Sequence, residues 1–219
     1  MPIGIITGMR AEASIARRCT SLVASTGGIA RAAEAEADAL IERGATALMS
    51  LGIAGGLADA LPTGTVVVAT GVVVRNATIA TDTEWCARLL AGFPGAVPGL
   101  LLGGDRIIGR AAQKAELFRR TGALAVDLES GGVARVAAGA GVPFVAVRAI
   151  ADVASADLPP AALVGLDRRG GVALGAVLGS LWREPAQLAR LVSTARDTRA
   201  ALRALARGLP ELAVGPNRA

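Results

Sequence analysis

Histidine and tyrosine are absent, lysine occurs once, and aromatic residues make up only 2% of the 219 residues. Without histidine there can be no imidazole general base, no Ser-His-Asp triad and no His-ligated metal, so acid and base chemistry falls to carboxylates. The two cysteines, Cys19 and Cys86, stand far apart with no second cysteine beside either. That spacing offers neither a zinc site nor a disulfide framework, and both are read as small core residues. No metal site is expected. Nucleotide loops are missing too: there is no GxGxxG, and Lys114 follows no glycine-rich phosphate loop.

Long apolar runs are also scarce. The charge-free stretch from Leu89 to Gly104 is broken by glycine and proline, and falls short of the roughly 20 apolar residues of a membrane-spanning helix. The chain enters the strand-like PIGIITG at once, with no basic region and cleavage site ahead of it, so the expected compartment is the cytoplasm. The net charge of +5 is unevenly placed: residues 183–219 hold seven arginines against three acids. Stacking aromatics do not accompany that charge, which argues against a nucleic-acid partner.

What is present is a 53% hydrophobic chain in which β-branched runs alternate with Ala-rich, charge-striped segments. That rhythm predicts an α/β fold, a three-layer α/β/α sandwich with a central mixed sheet, in a single domain over 1–219. Strands are expected at Ile3 to Thr7, Ala45 to Leu51, Thr65 to Val74, Val97 to Leu102, Leu124 to Val126 and Phe144 to Ile150. Helices are expected at Met9 to Arg18, Ile29 to Arg43, Asp82 to Leu90, Arg110 to Arg120 and Ser130 to Ala140, with Gly44, Gly122 and Gly141 as caps. Two further helices, Pro160 to Trp182 and Pro185 to Arg207, close the chain. In the last, Leu188, Leu191, Val192, Ala195, Leu202 and Leu205 form an apolar stripe, with Arg190, Arg196, Arg199, Arg203 and Arg207 largely elsewhere. Those arginines form either a solvated face or a basic surface for peripheral contact with an anionic membrane.

Four acids sit in apolar surroundings, where an unpaired carboxylate is costly: Glu12, Asp127, Glu129 and Asp152. Each follows a predicted strand, and ligands of open α/β sheets bind at the carboxyl ends of strands. Each also suits the first turn of a helix, where the dipole favours an acid. Together they suit cleavage of a glycosidic bond, whose cationic transition state carboxylates can stabilise. The glycines of SLGIAGGLADALPTG, Gly55 and Gly56 among them, would let backbone approach a ligand or simply form a strand-end turn.

The segments IGIITGMRAEA, SLGIAGGLADALPTGTVVVA, LLLGGDRII and AVDLESGGVARVAAGAGVPFVAVRAIADVAS resemble, in order, those of the nucleoside phosphorylase and nucleosidase superfamily. The pattern is most like its methylthioadenosine and adenosylhomocysteine nucleosidases. The resemblance implies cleavage of purine ribosides without a cofactor, by a homo-oligomer. It makes Glu12 the acid that activates water, Glu129 the acid that holds the ribose hydroxyls, and Asp152 the acid that addresses the purine. Leu128 would lie against the sugar, Ile53, Gly55, Ile107 and Ile108 would line the substrate site, and Asp127 would be structural. Gly8 and Arg10 are the candidates for binding phosphate, should inorganic phosphate rather than water be the co-substrate; both remain open.

Ile107 stands where the family usually has a stacking phenylalanine, Ile53 where a hydroxyl residue is common, and Ala151 where a serine is usual. The segment ADLPPAALVG also lacks the aromatic that closes the 5′ pocket. With LPPAALVGLDRRGGVALGAVLGSLWREPAQLARL, these departures resemble the hopanoid-associated phosphorylases, implying removal of adenine from adenosylhopane, a nucleoside with a bulky apolar 5′ substituent. A methylthioadenosine or adenosylhomocysteine nucleosidase, and a purine nucleoside-binding protein without activity, are the alternatives.

Overall fold

The computed structural model describes residues 1–163 and 184–216. Eight strands form one mixed sheet: β1 (Ile3–Thr7), β2 (Val23–Ser25), β3 (Ala47–Gly56), β4 (Val66–Val74), β5 (Ala77–Ala80), β6 (Val97–Gly103), β7 (Ala125–Asp127) and β8 (Phe144–Asp152). Their order is β2-β1-β3-β7-β6-β4-β5, and β8 pairs with both β3 and β4. β8 runs parallel to β3 and antiparallel to β4, while β7 is antiparallel to β3 and parallel to β6. The sheet therefore closes on itself around β3, β8, β4, β6 and β7, which gathers several strand ends at one place.

Helices cover both faces, as strands apolar on both sides require. On one face α2 (Ala32–Glu42) and α5 (Ser130–Ala140) bury Ala33, Ala37, Leu40, Val133, Ala134 and Ala137 against Leu48, Val67 and Ala146. On the other, α1 (Arg10–Ala16), α3 (Thr83–Gly92) and the C-terminal helix bury Ala16, Trp85, Leu89, Ala201 and Leu205 against Met49, Val68 and Val147. The predicted three-layer arrangement is thus observed. Helix α4 (Ala111–Thr121) flanks the β6–β7 end, followed by the short α6 (Pro160–Leu163), the long α7 (Leu188–Arg207) and the terminal turn α8 (Leu209–Leu212). Gly122 and Gly141 cap their helices in the left-handed conformation. Among the described residues, no helix is long and apolar enough to cross a membrane.

The sequence reading departs from the structure in several places. β3 runs five residues past the expected end at Leu51, through Gly52 to Gly56, with a register shift at Ala54/Gly55. Gly55 and Gly56 are therefore residues of a bulged strand rather than a strand-end turn. The edge strands β2 and β5, three and four residues long, were not anticipated, being too short to show a period. Of the expected helix Pro160 to Trp182, only Pro160–Leu163 is described, and the remainder lies outside the described residues.

A further departure concerns the apolar stripe of α7, which does not pack as one face. Ala201, Ala204 and Leu205 are buried, whereas Leu188 and Val192 are 54% and 43% exposed. At a helical repeat, Leu188 and Val192 share a face with the exposed Arg196, Arg199, Arg203 and Arg207. Cys86 is buried as expected, but Cys19 is only half-buried.

Candidate active site

The carboxyl end of β1 leads through Gly8 directly into α1, which places Glu12 in the first turn of that helix. Its Oε2 accepts the backbone N–H groups of Gly8 at 2.9 Å and Met9 at 2.7 Å, and its Oε1 that of Ile53 at 2.8 Å. The helix-cap and active-site readings of this acid thus coincide: it satisfies the helix start and lines a cavity. Burial pushes its carboxyl above the ordinary range, opposed by the Ile53 N–H, the Arg148 charge and the Met9 and Gly8 N–H groups.

Room for these carboxylates comes from glycine. A Cβ at Gly52 would sit 2.8 Å from Oε1 of Glu12, and one at Gly8 would sit 2.6 Å from Oε1 of Glu129. Both are closer than non-bonded atoms approach, so any side chain there would displace an acid.

At the end of β7, Asp127 accepts the N–H of Glu129 at 2.9 Å and of Ser130 at 2.7 Å, and its Oδ2 accepts the Ser130 hydroxyl. These bonds fix the start of α5 and the direction of Glu129. A guanidinium from the middle of β8 completes the group. Arg148 donates to Asp127 at 2.8 Å and to Ser50 at 2.7 Å, and lies 3.6 Å from Glu129. Asp127, expected to be structural, makes these bonds within the chain and also stands in the wall of the cavity described below.

Arg148 is fully buried, and burial would lower its pKa, but the charges of Asp127 and Glu129 hold it above the ordinary value. Glu129 accepts the Thr26 hydroxyl at 3.1 Å. Its carboxyl is pushed up to about 7, first by burial, against Arg148, and further by the nearby charges of Asp127 and Glu12.

Asp152 ends β8. It pairs with the ammonium of Lys114 on α4, which also donates to the carbonyls of Val153 at 2.9 Å and Ala156 at 3.0 Å. Burial raises the Asp152 carboxyl, Lys114 opposes that, and Asp197 on α7 adds to it.

Glu12, Glu129 and Asp152 all line one cavity of about 540 Å³, within the range of small-molecule sites. Gly8, Ile53, Gly55, Ile107, Ile108 and Leu128 are in its wall as well. Arg10 is not: it is an exposed first residue of α1 outside the lining. The expected phosphate pair is thus divided, with Gly8 at the cavity and Arg10 away from it. Leu158, Ala161 and Ala162 extend the apolar wall, and α7 adds Leu191, Thr194, Ala195, Thr198 and Arg199.

Arg148, Lys114, Thr26 and Ser50 escaped the sequence reading. For Arg148 a signal existed, since an arginine inside the apolar FVAVRAIAD implies buried counter-charges. Thr26 and Ser50 carry no such signal.

With this geometry in view, comparison with known proteins places the fold. Residues 11–167 match the family model described as the phosphorylase superfamily. The chain belongs to that superfamily. Futalosine hydrolase of Streptomyces coelicolor is 34% identical over 155 residues, 60% of this chain and 66% of that protein. The 5′-methylthioadenosine/S-adenosylhomocysteine nucleosidase of Treponema pallidum is 36% identical over 85 residues, 35% of this chain and 32% of that protein. The chain therefore spans just under two thirds of the first relative and about a third of the second. Among solved structures, futalosine hydrolase of Helicobacter pylori superposes with a TM-score of 0.72 at 16% identity, covering 97% of each chain. The Neisseria meningitidis 5′-methylthioadenosine/S-adenosylhomocysteine nucleosidase bound to methylthio-immucillin-A also gives 0.72, at 19% identity over 96% of this chain and 97% of that one. These two likenesses establish the shared fold.

Proposed function

We infer that this member of the superfamily cleaves the N-glycosidic bond of an adenine nucleoside. The observation that carries the reading is the arrival of Glu12, Glu129 and Asp152, from three separate strand ends, on the wall of one cavity. The two curated relatives, a hydrolase and a nucleosidase by name, agree with it.

In this reading Glu129, steadied by Thr26 and Arg148, accepts the ribose hydroxyls, with Leu128 against the sugar. Asp152 addresses the base, and Ile53, Ile107 and Ile108 enclose it beside the open backbone of Gly55. The C–N bond breaks with its electron pair leaving on the base, which is neutralised by a proton from solvent, and the sugar becomes cationic. A water oxygen then bonds to the anomeric carbon while its proton passes to Glu12. A carboxylate raised by burial is suited to that proton. Water is the proposed nucleophile because Glu12, which can take its proton, lines the cavity; Arg10 lies outside the lining, whereas Arg106 and Arg199 are within it.

Chromatographic assay of adenine release is the test. Equal rates with and without inorganic phosphate, free ribose as product and loss of activity in Glu12→Gln are expected. A rate that needs phosphate would overturn the hydrolytic step.

The 5′ substituent is proposed to be large and apolar, as in adenosylhopane. Leu158, Ala161, Ala162 and Leu191 supply an apolar wall beyond the base that a methylthio group would not fill. Turnover of adenosylhopane, methylthioadenosine, adenosylhomocysteine and futalosine in parallel decides between them, and efficient use of methylthioadenosine alone would remove the hopanoid assignment.

A further inference from the structure

Among the described residues lining the cavity, four are exposed: Arg106 and Ile107 in the loop after β6, and Ala195 and Arg199 on α7. Glu12 and Glu129, at 2% and 6% exposure, stand deeper. The mouth of the site is therefore the gap between α7 and residues 106–107.

Around its circumference α7 presents two adjoining arcs. At about 100° per residue, Leu191, Thr194 and Thr198 share the arc that lines the cavity. Leu188, Val192, Ala195, Arg196, Arg199 and Arg203 occupy the next one, about 100° wide, and all six are exposed. Ala195 and Arg199 belong to both, so the exposed arc runs without a break into the mouth. Arg207 continues it toward the end of the helix.

The rim is positive. Arg106, Arg196, Arg199 and Arg203 form no ion pair among the described residues. Asp105 and Glu184 are the exposed acids near this rim in sequence, and Asp197 lies on another side of α7, where its charge acts on Asp152. Exposed apolar side chains flanked by free guanidiniums suit an anionic bilayer, whose acyl region takes the former and whose headgroups take the latter.

We propose that this rim docks on an anionic lipid bilayer with the mouth of the cavity against it, so that a nucleoside whose apolar 5′ chain is seated in the bilayer enters base first without its chain crossing water. Docking stands on the rim alone; delivery of substrate rests on the nucleosidase reading and deepens it. Each CH2 drawn from the bilayer into water lowers the accessible concentration about fourfold. A substrate with a long chain is therefore met at the bilayer or hardly at all.

The experiment has two readouts on the full-length protein. Vesicles of phosphatidylserine and phosphatidylcholine with brominated acyl chains quench a tryptophan that reaches the acyl region. Val192→Trp, on the rim, and Arg43→Trp, at the end of α2 on the other face of the sheet, are read against the wild type, which carries Trp85 and Trp182. Quenching beyond wild type is expected in Val192→Trp and not in Arg43→Trp. The second readout is cleavage of an adenosine analogue with a 5′-hexadecyl chain, embedded in the vesicles, beside one with a 5′-propyl chain in water. Reversing Arg196, Arg203 and Arg207 to glutamate should lower vesicle affinity by about a hundredfold or more. It should slow cleavage of the embedded analogue by about tenfold or more and leave that of the soluble one unchanged.

No added quenching in Val192→Trp, or equal quenching at both positions, would overturn the docking. Cleavage of the embedded analogue untouched by the reversal would overturn the delivery. If the reversal splits a dimer in sedimentation while vesicle binding stays the same, the arc is covered by a second copy of the chain and the proposal fails. Quenching confined to Val192→Trp with neither analogue cleaved would support the docking while the cleavage reading falls.

Discussion

Arg148 and Asp127 meet at 2.8 Å in the interior, with 0% and 1% of their side chains exposed. They join two elements separated in sequence, the middle of β8 and the end of β7. Arg148 also faces Glu129 and bonds Ser50, so one guanidinium holds two acids at the end of β7 and a hydroxyl inside β3.

Removing one member of such a group leaves the others charged and buried, which typically costs 3–5 kcal/mol, more than the pair contributes against an apolar replacement. Arg148→Met is therefore expected to destabilise the protein by about 3 kcal/mol or more, measured by urea denaturation, with activity reduced even where it folds. A loss below about 1 kcal/mol would mean that the network carries little of the fold.

The glycines beside the acids give a different outcome. Gly52→Ala would put a methyl group 2.8 Å from Oε1 of Glu12, and Gly8→Ala one 2.6 Å from Oε1 of Glu129. The acids must shift, and a misplacement of about 1 Å can cost a hundredfold in rate. We expect kcat/KM for nucleoside cleavage to fall by about tenfold or more in each, while the circular dichroism spectrum stays native. Wild-type kinetics in Gly52→Ala would show that Glu12 does not act from this position.

Much of this site was legible because its acids interrupt apolar runs. Glu12, Glu129 and Asp152 break stretches that otherwise read as buried strands and helix starts, and the three-layer fold follows from the same alternation. Lys114 was hidden because it lies in the polar helix α4, where a lysine ordinarily points to water; only the tertiary fold carries residues 152–156 over it. The C-terminal stripe misled for the converse reason. Leu188 and Val192 have the spacing of packed residues, but only the later part of α7 has sheet beneath it.

That exposed face has its own consequence. Leu188, Val192, Arg196, Arg203 and Arg207 together form an apolar and basic surface of the kind that rests on anionic lipid. The chain is expected to float with phosphatidylserine vesicles and not with phosphatidylcholine vesicles at low salt. Reversing Arg196, Arg203 and Arg207 to glutamate should abolish flotation without affecting turnover of a water-soluble nucleoside. Arg190, which donates to the carbonyl of Asp157, and Arg199, at the cavity, are left in place. Flotation unchanged by the reversal would exclude α7 as the contact.

The pH dependence of stability follows from Glu129. Its carboxyl lies at about 7 in the folded protein against 4.5 for an exposed glutamate, so between those values the folded state binds more protons than the unfolded one. Stability then falls as pH rises through that window, because the slope follows the protons bound in the unfolded state minus those bound in the folded state. The group costs nothing below about pH 4. Its full cost, on the order of 3 kcal/mol or slightly more before sharing with Glu12 and Arg148, is reached above pH 7. Glu129→Gln, which keeps a hydrogen-bond acceptor for Thr26 and cannot ionise, should therefore gain stability relative to wild type as pH is raised from 5 to 8. Paired urea titrations at several pH values measure this directly. A difference between the two proteins that is flat with pH would mean that Glu129 titrates near its ordinary value in the folded protein.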